Sequence, residues 1–141
     1  MKNNYYLVLS SCLFIVTIIY FVSKFDWNNS NNYEILLIFI LLSNLIFSTL
    51  FWKKANYKSI IHKMDSFFAK LSFICFLIYC LFIKECIIIQ KIIFLLIVII
   101  ALLLFYISNK WSKKQWCSRK HIIIHFIFHV FTTLGTLIVI I

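Results

Sequence analysis

Long apolar runs separated by short polar segments make up the whole chain. The first run, residues 3–23, holds 21 uncharged residues between Lys2 and Lys24, and a helix of that length crosses a hydrocarbon core of about 30 Å. Similar runs follow along the chain. They predict an all-α integral membrane protein, a single domain over residues 1–141 that forms a bundle of five transmembrane helices. The predicted helices span about 5–22, 33–52, 66–83, 86–108 and 121–141.

The third and fourth runs are separated only by Lys84 and Glu85. A single helix from residue 71 to residue 109 would be about 58 Å long, twice the thickness of the hydrocarbon core. We therefore expect a tight turn at these two charged residues. The uncharged part of the third run, residues 71–83, is short, so this helix spans only if Lys70 extends its ammonium group to the interface.

Basic residues are distributed unequally between the two sides that five spans define. Three lie on one side, Lys24, Lys84 and Lys91, and eleven lie on the side of the N-terminus. The eleven are Lys2, Lys53, Lys54, Lys58, Lys63, Lys70, Lys110, Lys113, Lys114, Arg119 and Lys120. Because basic loops stay in the cytoplasm, we expect a cytoplasmic N-terminus and an exterior C-terminus.

The composition changes this interpretation little. Hydrophobic residues make up 64% of the chain and the mean hydropathy is +1.02, whereas about half of a soluble domain is apolar. The net charge of +10 does not indicate nucleic-acid binding, because membrane orientation accounts for the basic loops. The five cysteines show neither CxxC spacing nor a paired framework, so packing explains them. Cys117, in a basic loop, is either a plain thiol or an S-acylation site.

Three histidines in the last apolar run are the strongest candidates for chemistry. Imidazole is costly to remove from water, so His125 and His129 within a span indicate a functional site. At a spacing of four residues they lie about 6 Å apart on one helix face and can bind one metal ion together. His121 is about 12 Å from His129 and cannot join the same ion. Two alternatives stay open, namely hydrogen bonds from the pair to neighbouring helices and haem ligation.

Three short motifs resemble the CREST superfamily, which includes alkaline ceramidases, adiponectin receptors and hemolysin III proteins. The motifs are residues 48–52 (Ser-Thr-Leu-Phe-Trp), residues 58–65 (Lys-Ser-Ile-Ile-His-Lys-Met-Asp) and residues 125–135, which begin His-x-x-x-His. In that family a Ser-x-x-x-His ends the second helix, an Asp enters the third and a His-x-x-x-His lies in the last. The resemblance implies a zinc ion held by three histidines, with a serine and an aspartate holding its water for hydrolysis of lipid amides.

Carried over by position, the resemblance assigns Ser48 and Asp65 to catalysis and His125 and His129 to the metal. Two features depart from the family. Trp52 stands where the histidine of the second helix is expected, and five helices are predicted where the family has seven.

His62 is the candidate for the missing zinc ligand. It lies three residues before Asp65, hence on the same helix face one turn away, and zinc sites that perform chemistry commonly use three protein ligands and a water. The alternative is a His62 solvated among the lysines of its loop. The resemblance thus implies a zinc-dependent intramembrane hydrolase of lipid amides, with a membrane lipid as its partner. The alternative function is a non-catalytic multi-pass protein whose intramembrane histidines are structural.

Overall fold

The structure, a computed structural model, describes residues 5–25, 31–56 and 59–141. These residues form five long helices and no strands, which confirms the predicted all-α fold. The helices are α1 (Tyr5–Lys24), α2 (Asn32–Lys54), α3 (Ile60–Ile83), α4 (Ile88–Lys114) and α5 (Arg119–Ile140), and each is long and apolar enough to cross a membrane. The predicted loop residues 26–30, and Lys2 and Lys58 from the count of basic residues, lie outside the described residues.

Serine side chains set the starts of α3 and α5. The hydroxyl oxygens of Ser59 and Ser118 accept the backbone N–H groups of His62 at 3.1 Å and of His121 at 3.3 Å, which is the usual way to satisfy the first turn of a helix. Because Ser59 is the cap, α3 begins at residue 60 rather than at the predicted residue 66. Asp65 therefore lies within the second turn of α3 and not at its start.

The end of α3 departs from α-helical geometry. The helix is regular over Ile60–Ile78 and then closes with a π turn over Tyr79–Ile83, in which the Lys84 N–H donates to the Tyr79 carbonyl oxygen at 2.8 Å. The chain reverses after Ile83, where the charged residues predicted a turn, and α4 follows. At its other end α4 continues six residues past the predicted residue 108, because the hydropathy pattern marks the edge of the lipid and not the end of the helix.

The five helices form an open arrangement, in which two helices that follow each other in the chain are not packed closely together. α1 packs against α2 and α5, α2 also packs against α3, and α4 packs against α5. α3 and α4 are consecutive in the chain, yet their backbones lie apart along most of their lengths, and they meet near the turn that joins them, where the Lys91 ammonium donates to the Leu81 carbonyl oxygen at 3.3 Å. A gap therefore separates α3 from α4.

The two ends of the bundle differ in charge. The starts of α1, α3 and α5 meet the end of α2 and the connection between α4 and α5 in one apolar cluster, and we term this the basic end. The basic residues that the structure describes near this end are Lys53, Lys54, Lys63, Lys110, Lys113, Lys114, Arg119 and Lys120. Here the Trp116 Nε1–H donates to the Ala55 carbonyl oxygen at 3.0 Å. At the opposite end, the Lys84 ammonium donates to the carbonyl oxygens of Val139 at 2.7 Å and Ile140 at 2.8 Å, which satisfies the last turn of α5.

Cys117 lies in the connection between α4 and α5 at the basic end. Its side chain is partly buried against the apolar cluster there, and this burial raises the pKa of the thiol. A thiol with a raised pKa is less often the reactive thiolate. The surroundings of Cys117 thus favour a plain packed thiol over an S-acylation site.

Candidate functional site

A cavity of about 360 Å³ lies in the gap between α3 and α4. α2 and α5 contribute its remaining wall, and α1 adds one residue. All five site residues predicted from the sequence line this cavity: Ser48, His62, Asp65, His125 and His129. The fold therefore gathers the three short motifs around one space.

The lining of the cavity changes from polar to apolar along its length. On α4 it runs from Lys113 to Phe94, about 28 Å at 1.5 Å per residue, which is close to the thickness of a hydrocarbon core. Near the basic end the lining includes Lys113, Asn109 and the predicted polar residues. Towards the opposite end Phe76, Phe94 and Ile97 dominate the lining, and its polar side chains there are uncharged, namely Asn44, Thr132 and Thr136. The cavity is thus elongated and amphipathic.

The histidines of α5 form one row on the face that meets the cavity. Ring centroids lie 5.8 Å apart for His121 and His125, and 4.8 Å apart for His125 and His129. His121 and His129 are buried, with 2% and 4% of their surfaces exposed, and His125 is partly buried. The spacing of four residues therefore produces the ring contacts expected on one helix face.

His129 is held by a serine of α1. The Ser10 Oγ lies 2.9 Å from His129 Nδ1 and also donates to the Leu7 carbonyl oxygen at 2.9 Å. A hydroxyl has only one hydrogen, so the Nδ1 of His129 donates to Ser10 when the serine donates to Leu7. The Nε2 of His129 then carries the lone pair, and no described residue bonds to it. His129 thus offers a hydrogen-bond acceptor or a ligand atom at Nε2.

His125 is held by a serine of α4 and by Trp52. The Ser108 Oγ lies 3.0 Å from His125 Nδ1, and the Trp52 ring meets the imidazole edge-on with centroids 4.8 Å apart. Trp52 is 1% exposed, and its Nε1–H has no hydrogen-bond partner among the described residues. The buried Nδ1 of His121 likewise has no hydrogen-bond partner in the described part of the chain.

Ser48 connects Asp65 to α1. Its Oγ lies 2.9 Å from the Ser11 Oγ, and Ser11 in turn donates to the Leu7 carbonyl oxygen at 2.8 Å. The side chains of Ser48 and Asp65 also interact across the α2–α3 interface. Ser48 has one hydroxyl hydrogen for two partners, Ser11 and Asp65, so it can donate to a ligand only by giving up the bond that it donates.

His62 lies at the wall of the cavity, and it contacts the same Trp116 ring as His121. Its ring stacks on Phe51 with centroids 4.6 Å apart and meets Trp116 edge-on at 6.1 Å. The rings packed against His125 are instead Trp52, Phe128 and its two neighbours in the histidine row. Aromatic rings therefore pack against His62, whose side chain is partly buried.

The described residues supply two histidines, but no third ligand beside them, for the zinc centre that the resemblance implies. Both Nδ1 atoms of His125 and His129 are bonded to serines, so each ring offers only Nε2. Trp52, which cannot ligate a metal, lies against His125 where a third histidine is expected. Across the described residues, no group of three or more His, Cys, Asp or Glu side chains is arranged to hold a metal ion.

The serines that hold the site were not among the residues predicted from the sequence. Ser10 and Ser11 end the first segment of α1, where the helix is interrupted at Cys12, and Ser108 is the first polar residue after a long apolar run of α4. Hydroxyls in apolar spans are a weak signal, because most bond to their own helix backbone. Only the fold shows that these three also reach other helices.

Fold and site define a class of protein rather than a family. The chain is all-α, its five candidate spans suggest a multi-pass membrane protein, and an amphipathic cavity lies between two of them. No family model, curated protein or solved structure matches it. The similarity to the CREST superfamily therefore rests on the three short motifs alone.

Proposed function

We propose that the chain is a multi-pass membrane protein that binds a single-chain amphiphile from the membrane in the cavity between α3 and α4. The polar group of the amphiphile lies near the basic end, and its hydrocarbon chain extends towards the opposite end. The N-terminus is cytoplasmic and the C-terminus is exterior.

The observation that carries this proposal is an amphipathic cavity at an unpacked helix interface. Because the backbones of α3 and α4 lie apart along most of their lengths, helix packing does not seal the cavity from the lipid that would surround the bundle. Its length along α4, about 28 Å, suits one extended acyl chain. Ligand sites are typically apolar cavities with a few placed polar groups, and this lining has that character.

The polar end supplies the groups that would hold a head group. The Nε2 of His129 accepts a hydrogen bond, the Nε2 of His125 accepts or donates one according to its tautomer, and Asp65 adds a carboxyl group. Lys70 and Lys113 lie at the exposed rim on opposite sides of the gap. A head group with both a hydrogen-bond donor and an acidic or carbonyl oxygen would match this combination.

The charge difference between the two ends supports the proposed orientation. Eight described cations surround the basic end, whereas the opposite end holds Lys24, Lys84 and Lys91. Basic residues near the ends of spans are retained in the cytoplasm. The start of α1 is at the basic end, so the N-terminus faces the cytoplasm.

Retention of a bound amphiphile by variants of α4 tests the proposal. Ala101 lines the cavity and is 1% exposed, whereas its neighbour Leu102 is 52% exposed on the outer face. Ala101→Phe places a ring in the cavity, and Leu102→Phe is the matched control. Native mass spectrometry of protein extracted in mild detergent should detect the amphiphile on the parent and on Leu102→Phe but not on Ala101→Phe.

Val98→Phe, one turn from Ala101 on the same wall, repeats the blocking test at a second position. Size-exclusion profiles equal to that of the parent establish that the variants are folded. Equal retention of the amphiphile by folded Ala101→Phe and Val98→Phe would contradict the proposed site.

Zinc-dependent hydrolysis of lipid amides is the second candidate, and it derives from the resemblance. It is favoured by the two Nε2 atoms without partners in the described residues, which share one cavity with Asp65 and Ser48. It requires a third ligand in addition to His125 and His129. Metal analysis of the parent, His129→Ala and His62→Ala distinguishes the two candidates. One zinc ion per chain in the parent, lost in both variants, supports the hydrolase. A parent protein without metal rules the hydrolase out.

A further inference from the structure

The sequence spacing of the cysteines shows no pairing, but the fold brings two of them together at the opposite end. Cys80 lies in the π turn that ends α3, and Cys86 lies in the connection to α4. The side chain of Cys86 packs against the cluster that contains Cys80, where the two thiols are close enough to interact. A separation of six residues along the chain thus becomes a neighbouring pair of side chains.

The irregular end of α3 produces this contact. The π turn is closed by the Lys84 N–H, and the Cys86 N–H then donates to the Lys84 carbonyl oxygen at 2.8 Å. These two bonds reverse the chain tightly, so that Cys86 returns towards the last turn of α3. A regular helix with a longer loop would not bring residue 86 back to residue 80 in this way.

From this contact we infer that Cys80 and Cys86 form a thiol pair that is converted to a disulfide by a disulfide oxidant. The pair lies outside the cavity and does not depend on the amphiphile. The proposed orientation puts this end on the exterior side, where disulfides persist. The bond would tie the end of α3 to the start of the α3–α4 connection.

The different exposure of the two thiols fixes the order of the steps. Cys86 is partly exposed, whereas Cys80 is 0% exposed. The Cys86 thiolate attacks one sulfur of the oxidant disulfide, forms a mixed disulfide and releases the first thiol. The Cys80 thiolate then attacks the Cys86 sulfur, forms the internal disulfide and releases the second thiol. The two cysteines lose two protons and two electrons, and the oxidant is reduced to two thiols.

Cys75 is the competing partner for Cys80, because it lies in the same helix and is also buried. Its thiol interacts with the Tyr33 side chain, and its carbonyl oxygen accepts the Tyr33 hydroxyl at 3.2 Å. Cys75 is thus turned towards α2 and serves as the matched control.

Peptide mapping distinguishes the two pairings. Trypsin cleaves after Lys70, Lys84 and Lys91, so Cys75 and Cys80 fall in fragment 71–84 and Cys86 falls in fragment 85–91. A Cys80–Cys86 disulfide joins the two fragments, whereas a Cys75–Cys80 disulfide stays within the first.

The experiment treats the full-length protein in detergent with oxidised glutathione, alkylates the remaining thiols and compares digests with and without reductant. We expect alkylation at three of the five cysteines and a reducible link between fragments 71–84 and 85–91. Cys86→Ser should abolish the link, and Cys75→Ser should leave it intact. Because Cys80 is buried, the test rests on the more exposed Cys86, with an unchanged size-exclusion profile as evidence of folding. Full alkylation of all five cysteines after oxidation, or a link within fragment 71–84, would overturn the inference.

Discussion

Replacing Ser10 with alanine removes the side-chain hydrogen bond of the His129 ring, while the Ser10 backbone, which also interacts with this ring, stays in place. That ring is 4% exposed and packs against Phe14 with centroids 5.9 Å apart, so water does not readily replace the serine. The Nδ1–H of His129 would lose its hydroxyl partner and keep only the interaction of the ring with the backbone of residue 10. The change is therefore expected to destabilise the contact between α1 and α5.

The expected loss of stability depends on whether the substitution leaves a buried polar group without its hydrogen-bond partner. A buried donor left without a partner costs about 1–3 kcal/mol, whereas an average interhelical hydrogen bond between membrane helices is worth only about 0.6 kcal/mol. We expect Ser10→Ala to cost about 1–3 kcal/mol, because the group that loses its hydroxyl partner is His129 and not the mutated residue.

Thr17→Val is the matched control on the same pair of helices. The Thr17 hydroxyl lies 3.3 Å from the Thr136 hydroxyl, and Thr136 already donates to the Thr133 carbonyl oxygen at 2.9 Å. Removing Thr17 therefore leaves Thr136 satisfied, and valine preserves the shape. The expected cost is below about 1 kcal/mol.

The assay is denaturant unfolding in mild detergent, followed by circular dichroism, for the parent, both single variants and Ser10→Ala combined with His129→Phe. The double variant should recover part of the loss, because it removes the donor that lost its hydroxyl partner. The reasoning is refuted if Ser10→Ala costs no more than Thr17→Val, since His129 would then not depend on Ser10.

Two further substitutions test the packing that shapes the cavity and the end of α5. A Cβ added at Gly135 would meet the Ile97 Cγ2 at 3.1 Å. Gly135→Val should therefore destabilise the fold by about 1–3 kcal/mol, because it overpacks α4 against α5. An unchanged unfolding midpoint would show that these helices can separate freely. Lys84→Met removes two hydrogen bonds to the last carbonyl oxygens of α5. Amide hydrogen exchange should therefore accelerate in the final turn of α5 but not near Ser118. An equal change of the exchange rate at both ends of α5 would count against this cap.

Hydrophobic patterning predicts the fold well because spans are selected by length and apolarity. It places the starts of the helices less well, since helix starts depend on caps. Ser59 is one such cap, and it extends α3 by six residues beyond the predicted start at residue 66. The same extension puts His62 into the helix, where it stacks on Phe51. A cap outside the apolar run leaves no trace in a hydropathy pattern.

The candidate site was partly predictable because its side chains are unusual for a membrane span. His125 and His129 stand out in any apolar run, and their spacing fixes their contact. Their partners, Ser10 and Ser108, are distant in sequence and ordinary in composition. The contact of Cys80 with Cys86 depends on a π turn, and the spacing of residues in the sequence does not predict such a turn.

Entry of a hydrocarbon chain into the cavity can be measured directly with Trp52 as the reporter. Trp52 lines the cavity and is 1% exposed, so a quencher confined to the surrounding detergent or lipid does not reach it. The measurement uses a protein in which the other three tryptophans are replaced by phenylalanine, titrated with a monoacyl lipid that is brominated along its chain. The account predicts saturable quenching of the Trp52 emission, which Ala101→Phe abolishes and Leu102→Phe preserves. Absence of quenching, or equal quenching in the two variants, would contradict a chain-binding cavity between α3 and α4.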